Sequence, residues 1–292
     1  MSIQTLGRYE LIRVLGKGAM GLVYEGRDPN LDRRVAIKTI KVENLSEEEA
    51  AEYEVRFRTE ARSAARLQHP NIVSVYDSDR DIDIAFLVME FIQGEDLKHY
   101  LDKGERYTLQ QVVAIMNDLL SALDYAHRQN IVHRDIKPAN LLIEASGRIK
   151  LTDFGVARIQ DSGEATRTKG TMVGTLKYMS PEQVQGLPID ARSDLFSAGI
   201  VLYQLLTGKR PFDGAGNYEI IQKIIEQPAP APSTINPNLP PEIDQVVARA
   251  PEKLPDNRFA TAPDFSATLQ VSATPVTDAT IPPPPPRPRR AH

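Results

Sequence analysis

Two short segments of this chain hold the side chains best suited to chemistry. One is His133-Arg134-Asp135-Ile136-Lys137-Pro138-Ala139-Asn140, and the other, which begins thirteen residues later, is Asp153-Phe154-Gly155. Their reactive groups are two carboxylates, one ammonium and one amide, from Asp135, Asp153, Lys137 and Asn140. Carboxylate and amide oxygens are hard ligands of the kind that Mg²⁺ accepts beside phosphate oxygens and water. The two segments can therefore hold a metal-bound polyphosphate next to a hydroxyl group.

A glycine-rich segment near the N-terminus is a candidate for binding the phosphates. The segment from Gly16 to Gly21 fits the pattern G-x-G-x-x-G, and the residues that follow, 22–26, are typical of a strand. A dinucleotide-binding fold would instead begin a helix at the third glycine. We therefore predict a strand-turn-strand whose glycines let the backbone approach phosphate oxygens. An ordinary glycine-rich hairpin is the alternative that this segment alone leaves open.

A lysine on a neighbouring strand is the next candidate. The alternation of side chains over residues 35–40 predicts a strand in which Lys38 shares one face with Ala36 and Ile40. Such a lysine is often an edge residue that extends its ammonium group to water, and this reading stays open.

The helix predicted after Ser46 carries a carboxylate on its inward face. Ser46-Glu47-Glu48-Glu49 has the pattern of a capping box, and the helix should run to about Leu67. Its inward face is predicted to carry Tyr53, Phe57, Glu60, Ala64 and Leu67. Because an unpaired buried carboxylate is costly, we predict that Glu60 pairs with Lys38. An exposed Glu60 on a rotated helix is the alternative.

The order of predicted elements divides the chain into two lobes and a tail. Residues 8–41 and 84–92 have strand patterns, whereas 109–129, 194–207 and 217–227 have helical ones. We predict an α+β protein with a small, mostly β lobe over residues 1–93 and a larger, mostly α lobe over 94–272. Residues 273–292 contain five consecutive prolines and should form an extended, disordered tail.

Composition excludes several classes of function. The 292 residues carry a net charge of −4, which does not suggest a nucleic-acid surface. There are no cysteines, so disulfides, thiolate catalysis and cysteine-bound zinc are excluded, and a reducing compartment fits. No secretion signal is evident, and the longest apolar run, 84–92, is too short to span a bilayer. We expect a cytoplasmic protein, or the intracellular part of a membrane-anchored one.

The motifs together resemble those of protein kinases, and most closely the bacterial eukaryotic-like (Hanks-type) serine/threonine kinases. The resemblance extends over about residues 8–271 and rests on the loop at 133–140, on Ser180-Pro181-Glu182-Gln183 and on Gly208-Lys209-Arg210-Pro211-Phe212. It implies the two-lobed kinase fold, with a small antiparallel β lobe containing one key helix. It also implies transfer of the γ-phosphoryl group of ATP, with Mg²⁺ or Mn²⁺, to serine or threonine hydroxyls of proteins.

The resemblance assigns roles to individual residues. Asp135 orients the acceptor hydroxyl, Lys137 stabilises charge, and Lys38, positioned by Glu60, holds phosphates. Metal binding falls to Asn140 and Asp153. Ala36 and Leu142 would enclose the adenine, whose edge would pair with the Glu90 carbonyl and the Ile92 amide. The full predicted set of nucleotide-binding residues is Leu15, Gly16, Lys17, Gly18, Ala19, Met20, Gly21, Val23, Ala36, Lys38, Glu90, Ile92 and Leu142.

A long segment between Asp153 and Glu182 is predicted to act as a switch. It has few apolar residues and contains the candidate phosphorylation sites Thr166, Thr168 and Thr171. A phosphate there could pair with Arg134 and order the segment, whereas an unmodified, flexible loop is the alternative. In serine/threonine kinases a threonine at the position of Thr175 lies beside the catalytic aspartate.

Three further expectations come from the same resemblance. Asp194 should begin the helix that follows it and also brace the catalytic loop. Pro251 should kink or restart a helix, which puts the packing near Arg258 in doubt. Arg258 corresponds to an arginine that pairs, in kinases, with the glutamate at the position of Glu182.

Rival functions and partners also follow from the comparison with kinases. A non-catalytic scaffold with this fold commonly lacks one of the charged residues that are present here, and a small-molecule kinase usually lacks the threonine-bearing segment. We expect serine- or threonine-containing protein substrates, and a homodimer is one arrangement for autophosphorylation. The tail could bind a domain that recognises polyproline helices, or act as a spacer near an acidic membrane.

Overall fold

The computed structural model of the protein describes residues 5–17, 21–41, 46–82, 84–154 and 175–274. Its first part is an antiparallel sheet with the strand order β1-β2-β3-β4-β6-β5. These strands are β1 (Thr5–Leu6), β2 (Tyr9–Lys17), β3 (Leu22–Asp28), β4 (Arg33–Lys41), β5 (Val75–Asp81) and β6 (Ile84–Glu90). The predicted strands at 8–41 and 84–92 are therefore confirmed.

The sheet separates two small apolar clusters because side chains alternate along each strand. One face of β4 and β6 buries Val35, Ile37, Phe86 and Val88. The opposite face buries Ile40, Leu87 and Met89 against Phe57 of the helix α1 (Glu47–Ala65). Ala36 packs on this second cluster, so the face predicted for Ala36, Lys38 and Ile40 is the one that meets α1.

A second, three-stranded sheet lies beyond the first. It consists of β7 (Gly94–Asp96), β8 (Leu141–Glu144) and β9 (Ile149–Leu151), all antiparallel. Backbone hydrogen bonds join β9 to the segment before β5: Val73 donates to the Leu151 carbonyl at 2.9 Å, and Leu151 donates to the Asn71 carbonyl at 2.8 Å. This sheet positions the chemistry, because one of the two chemical segments leads into β8 and the other follows β9.

The remainder of the described chain is mostly helical. Its helices are α2 (Leu97–Asp102), α3 (Leu109–Arg128), α4 (Pro181–Val184), α5 (Ala191–Thr207), α6 (Asn217–Glu226), α7 (Pro241–Arg249) and α8 (Ala262–Ala273). A capping box of Thr108 and Gln111 begins α3, and Gly208, at φ +71°, ends α5. No helix in the described ranges is long and apolar enough to cross a membrane.

The prediction that Asp194 begins its helix is wrong by one turn. The N-cap of α5 is Asp190, whose side chain accepts a hydrogen bond from the Arg192 amide at 2.8 Å. Asp194 lies within the first turn and is buried. The reason lies in a tertiary contact: the Asp194 carboxylate binds the backbone of the segment 133–140, whereas Asp190 supplies the cap of the helix.

Pro251 ends a helix without disturbing the site near Arg258. Helix α7 stops at Arg249, since proline lacks an amide hydrogen and its ring clashes with the preceding turn. The next α-helix, α8, begins only at Ala262. Arg258, between the two helices, forms a bidentate pair with Glu182 at 2.7 and 2.8 Å. The doubt about this packing is therefore removed.

Candidate active site

A buried aspartate holds the segment 133–140 in place. The Asp194 carboxylate accepts hydrogen bonds from the backbone amides of His133 and Arg134, both at 2.8 Å. Its Oδ2 also lies 2.8 Å from Nε2 of His127 on α3. Arg134 has a left-handed backbone, at φ +72°, which an L-residue adopts only where its surroundings fix it. The brace expected from Asp194 is confirmed.

His133 links this loop to the second chemical segment. Its Nε2 lies 2.7 Å from the Thr152 carbonyl oxygen, and its Nδ1 lies 3.2 Å from the Asp135 amide nitrogen. A carbonyl can only accept and an amide N–H can only donate, so these partners assign the neutral tautomer with the proton on Nε2. The buried ring also meets Phe154 edge to face, with ring centroids 4.6 Å apart. The imidazole thus fixes the distance between the two segments.

The two catalytic candidates of the loop, Asp135 and Lys137, contact each other. Lys137 Nζ lies 2.8 Å from Asp135 Oδ2 and donates to Thr175 Oγ1 at 2.9 Å. Lys137 therefore bridges the carboxylate and the end of the predicted switch segment. The predicted position of Thr175 beside the catalytic aspartate agrees with this contact.

Asn140 completes the loop from the other side. Its Nδ2 donates to the Asp135 carbonyl at 2.7 Å and to Asp135 Oδ2 at 3.1 Å. Both partners are acceptors, so the amide orientation is determined, and the Asn140 oxygen points away from Asp135. This oxygen is the atom that can ligate a cation.

Asp153 lies opposite the loop and is paired with Lys38. The distance from Lys38 Nζ to Asp153 Oδ2 is 2.8 Å. Burial, the largest single influence, disfavours the charged carboxylate, but the charge and the hydrogen bond of Lys38 together with other nearby charge outweigh it, so the pKa of Asp153 lies below its ordinary value. Lys137 contributes in the same direction. Asp153 is therefore an anion, and the charges of Lys38 and Lys137 stabilise it.

The predicted pair between Lys38 and Glu60 is not present. Among the described side chains, the ion pair of Lys38 joins it to Asp153. Among the described side chains of α1 the buried ones are Phe57, Ala61 and Ala64, and Glu60 is only partly buried at the edge of this stripe. A rotation of about 100° separates neighbouring helix positions, so Glu60 keeps contact with solvent. Its charge does not require Lys38.

The predicted nucleotide-binding residues of the first sheet belong to β2, β3 and β4 or lie between β2 and β3 in the sequence. Val23 pairs in register with Lys38 and with Gly16, whereas Leu15 and Lys17 are exposed at the end of β2. Gly18, Ala19 and Met20 lie outside the described residues. A Cβ at Gly21 would lie 2.2 Å from the Thr39 carbonyl oxygen, so glycine is required there for close packing.

The proposed adenine contacts lie between the two sheets. Ala36 of β4 and Leu142 of β8 are partly buried and pack against one cluster that contains Met89. Glu90 ends β6, and Ile92 follows in the linker to β7. The linker therefore connects the first sheet to the second.

The side chain of Glu90 has a partner that sequence reasoning missed. Its Oε1 lies 2.8 Å from Lys150 Nζ, and its Oε2 accepts from the Ser74 amide at 3.2 Å. Lys150 is buried at the centre of β9. The available signal was a lysine between two apolar residues in the short strand Ile-Lys-Leu, three positions before Asp153.

The end of the predicted switch segment is anchored to the loop. Thr166, Thr168 and Thr171 lie outside the described residues. The described part resumes at Thr175, and α4 begins with a capping box of Ser180 and Gln183. Gln183 Nε2 also donates to the Arg134 carbonyl at 2.8 Å. The residues after Tyr178 therefore have a fixed position relative to Asp135.

This arrangement agrees with a comparison to known families. Residues 9–267 match the family described as Protein kinase domain. The chain belongs to the protein kinase family. The matched range begins at β2, ends within α8 and leaves out the proline-rich tail, close to the extent predicted from the motifs. The predicted two-lobed α+β kinase fold is confirmed.

Three curated relatives of the chain are bacterial serine/threonine-protein kinases or probable ones. The chain is 40% identical over 269 residues to a probable serine/threonine-protein kinase of Streptomyces coelicolor, covering 90% of this chain and 40% of that protein. It is 40% identical over 266 residues to serine/threonine-protein kinase PrkC of Bacillus subtilis, covering 91% and 40%. It is also 40% identical over 268 residues to PknB of Mycobacterium tuberculosis, covering 90% and 42%. The chain thus spans about two fifths of the length of these relatives.

Proposed function

We propose that the chain transfers the γ-phosphoryl group of ATP to serine and threonine hydroxyls of proteins, including threonines of its own switch segment. The observation that carries this proposal is the position of Lys137, whose ammonium group contacts both Asp135 and Thr175. A carboxylate and a cation held together in this way can orient a hydroxyl group and neutralise charge on a phosphoryl group that moves toward it.

The acceptor side of the reaction falls to Asp135. Its carboxylate accepts hydrogen bonds from Lys137 and Asn140, which hold it in one orientation. An acceptor hydroxyl can donate to this carboxylate and thereby be aimed at phosphorus. A threonine at the position of Thr175, here in contact with Lys137, is typical of serine/threonine kinases and favours serine and threonine over tyrosine as acceptors.

The donor set of the cleft fits a magnesium ion bound with a nucleotide. The Asn140 amide oxygen and the Asp153 carboxylate are hard ligands, and Mg²⁺ keeps several waters and takes few protein ligands when phosphates supply the rest. Manganese accepts the same donors. The described residues contain no group of three or more His, Cys, Asp or Glu side chains suited to a metal, so phosphate oxygens would have to complete the shell. When bound, the ion neutralises phosphate charge.

The nucleotide side is proposed for the first lobe, residues 1–93. Lys38 would hold the α- and β-phosphates, the glycine segment 16–21 would cover them, and the linker at Glu90 and Ile92 would meet the adenine edge. The second lobe, 94–272, would supply the acceptor side and the metal ligands. The tail proposed for 273–292 lies, from residue 275 on, outside the described residues. Glu60 remains a proposed residue of the nucleotide side, although the structure does not pair it with Lys38.

The direct experiment is transfer of radiolabelled γ-phosphate from ATP to a generic basic protein and to the chain itself. Transfer to both supports the proposal. No transfer, with nucleotide still bound, would instead favour a non-catalytic scaffold. Transfer to small alcohols in preference to proteins would favour a small-molecule kinase.

Autophosphorylation of the switch segment is the first specific prediction. After incubation with MgATP, phosphopeptide mapping is expected to find phosphate on Thr166, Thr168 or Thr171, because the segment leads in sequence to Thr175, which contacts Lys137 beside the Asp135 carboxylate. The Asp135→Asn chain incubated alone is the control and should carry none. An unmodified segment in an enzyme that phosphorylates other proteins would reject self-activation.

Loss of the Asp135 carboxylate should separate catalysis from nucleotide binding. In Asp135→Asn, the rate of transfer is expected to fall by about a hundredfold or more, because general-base positioning is lost. The affinity for MgATP should change by less than about threefold, since the contacts of Asp135 are to Lys137 and Asn140 rather than to Lys38. A large loss of MgATP affinity, measured by titration, would contradict the assigned role.

Substrates, assembly and location complete the proposal. Protein acceptors bearing serine or threonine are proposed, and a homodimer would let one copy phosphorylate the switch segment of the other. An autophosphorylation rate that rises with the square of protein concentration would support this arrangement. A cytoplasmic location is proposed because a chain without cysteine suits a reducing compartment.

A further inference from the structure

A buried lysine three positions before Asp153 has no role in the proposed function. Lys150 occupies the centre of β9, between the buried residues Ile149 and Leu151, and is itself only 8% exposed. A lysine removed from water to this extent needs an anionic partner to remain charged. That partner is Glu90, whose Oε1 lies 2.8 Å from the ammonium nitrogen.

Glu90 is held from two directions. Its amide donates to the Ser74 carbonyl at 2.9 Å, and its Oε2 accepts from the Ser74 amide at 3.2 Å. Ser74 therefore fixes both the backbone and the side chain of Glu90 within the first lobe. The remaining oxygen, Oε1, contacts Lys150 of the second lobe. One carboxylate therefore joins β6, the last strand of the first sheet along the chain, to β9, which precedes Asp153.

The position of Lys150 brings this ion pair close to the proposed adenine contacts. In the register of β8 and β9, Lys150 lies directly opposite Leu142. Opposite residues of antiparallel strands share a face, so the lysine lies beside the leucine that would close the adenine pocket. The same ion pair thus connects the pocket wall at Leu142 with the linker at Glu90.

From these contacts we propose that Lys150 is a positioning residue for the nucleotide. Its ammonium group holds the Glu90 carboxylate and so fixes the linker whose backbone would meet the adenine edge. The inference rests on the proposed role of Glu90 and Ile92 in adenine binding. A purely structural role would lower thermal stability alone, whereas a positioning role also weakens affinity for the base.

The test uses adenosine, which has no phosphates and requires no metal. In Lys150→Met, the dissociation constant for adenosine, measured by calorimetric titration, is expected to rise about tenfold, because residues that contact one another in a network are energetically coupled. The KM for ATP should rise by the same factor, while kcat at saturating ATP stays within about twofold. Lys177→Met is the matched control: it removes another poorly exposed lysine from an ion pair, with Asp213 at 2.6 Å, away from the linker. Its adenosine affinity should equal that of the wild type.

Two more variants keep the result interpretable. Glu90→Gln removes the charge with little change in shape and should weaken adenosine binding as much as Lys150→Met, and the double variant should be no worse than either. Lys150→Arg keeps a cation and should retain most of the affinity. If Lys150→Met does not fold, the comparison of Glu90→Gln with the wild type decides.

The outcomes separate this inference from the proposed function. Folded Lys150→Met and Glu90→Gln chains with wild-type adenosine affinity would overturn the positioning role, even if phosphoryl transfer is intact. A wild-type chain that neither binds adenosine nor transfers phosphate would refute the proposed function and this role with it.

Discussion

Replacing Asp153 by asparagine is expected to lower the rate of phosphoryl transfer at least about a hundredfold while the chain stays folded. Its carboxylate lies 2.8 Å from Lys38, and its pKa is held below the ordinary value, so it is an anion at neutral pH. The amide retains one oxygen but no charge. It would therefore ligate a divalent cation poorly and leave the charge on the phosphates uncompensated.

Asparagine is the sharpest substitution at this position because it leaves the backbone unchanged. Asp153 has a left-handed conformation, at φ +68°. Asparagine tolerates this region as well as aspartate does, whereas alanine would add strain. Asp153→Asn therefore adds no backbone strain, although the buried Lys38 loses its partner and some stability with it. Circular dichroism that shows a folded chain would assign the lost rate to the missing charge rather than to unfolding.

Lys38→Met provides the companion measurement. It should also lose about a hundredfold or more, and the double variant should be little worse than either single one, because residues that act as a unit are not additive. Lys103→Met, at an exposed lysine that follows α2, is the control and should keep its rate. Initial rates and circular dichroism are measured together. Near-normal rates from either Asp153→Asn or Lys38→Met would overturn the assignment.

The catalytic loop could be predicted from sequence because its geometry is mostly local. Within eight residues, a proline and two backbone-binding side chains, those of His133 and Asn140, hold Asp135 and Lys137 close together. The brace itself is different, since Asp194 lies 60 residues beyond Arg134 and was known only through the resemblance.

The partner of Lys38 could not be predicted with the same certainty. Strand alternation determines which face Lys38 occupies, but two carboxylates, Glu60 and Asp153, could reach that face. The predicted inward face of α1 passes through Phe57, Glu60 and Ala64. The observed buried face passes instead through Phe57, Ala61 and Ala64, which is a rotation by one helix position. Apolar periodicity does not distinguish these two rotations when the residue at the centre of the buried face is alanine, because alanine is a small side chain.

The roles of other charged residues depended on contacts between distant segments. Asp190 and Asp194 are both plausible caps for α5, and only the contact with His127 and the loop shows which one is buried. Lys150 has the same character: its strand suggests burial, but its partner Glu90 is 60 residues away. Sequence patterns locate such charges on a face and leave their partners undetermined.

Removing Arg258 is expected to cost about 3–5 kcal/mol of unfolding free energy, the largest stability effect predicted for this chain. Its guanidinium group is buried, and it donates to Glu182 twice and to the backbone carbonyls of Glu252, Arg192 and Lys253, at 2.7–3.2 Å. These bonds use all five of its N–H donors. Arg258→Met would leave a buried carboxylate without a cation and three carbonyls without a donor.

Urea denaturation of matched variants tests this expectation. Arg58→Met is the control, because Arg58 also pairs with a glutamate, at 2.6 Å, but its side chain is 65% exposed. Its effect should stay within about 0.5 kcal/mol. Arg258→Lys should also be destabilised, since an ammonium group cannot reproduce a bidentate pair. If Arg258→Met were as mild as Arg58→Met, the pair with Glu182 would not hold the helical lobe together.

The same pair predicts how stability depends on pH. Burial would raise the pKa of Glu182, but hydrogen bonds from Arg258 and Ser193 outweigh it, so the pKa in the folded chain lies below its ordinary value of about 4.5. The unfolded chain then binds a proton more readily than the folded one, and the stabilisation is complete above the unfolded pKa and is lost as pH falls through the folded one. The stability difference between the wild type and Glu182→Gln should therefore shrink on acidification below about pH 4.5 and be constant near neutrality. A difference that grew as the pH fell would mean that the folded chain, not the unfolded one, binds the proton more tightly, and that burial rather than Arg258 controls this carboxylate.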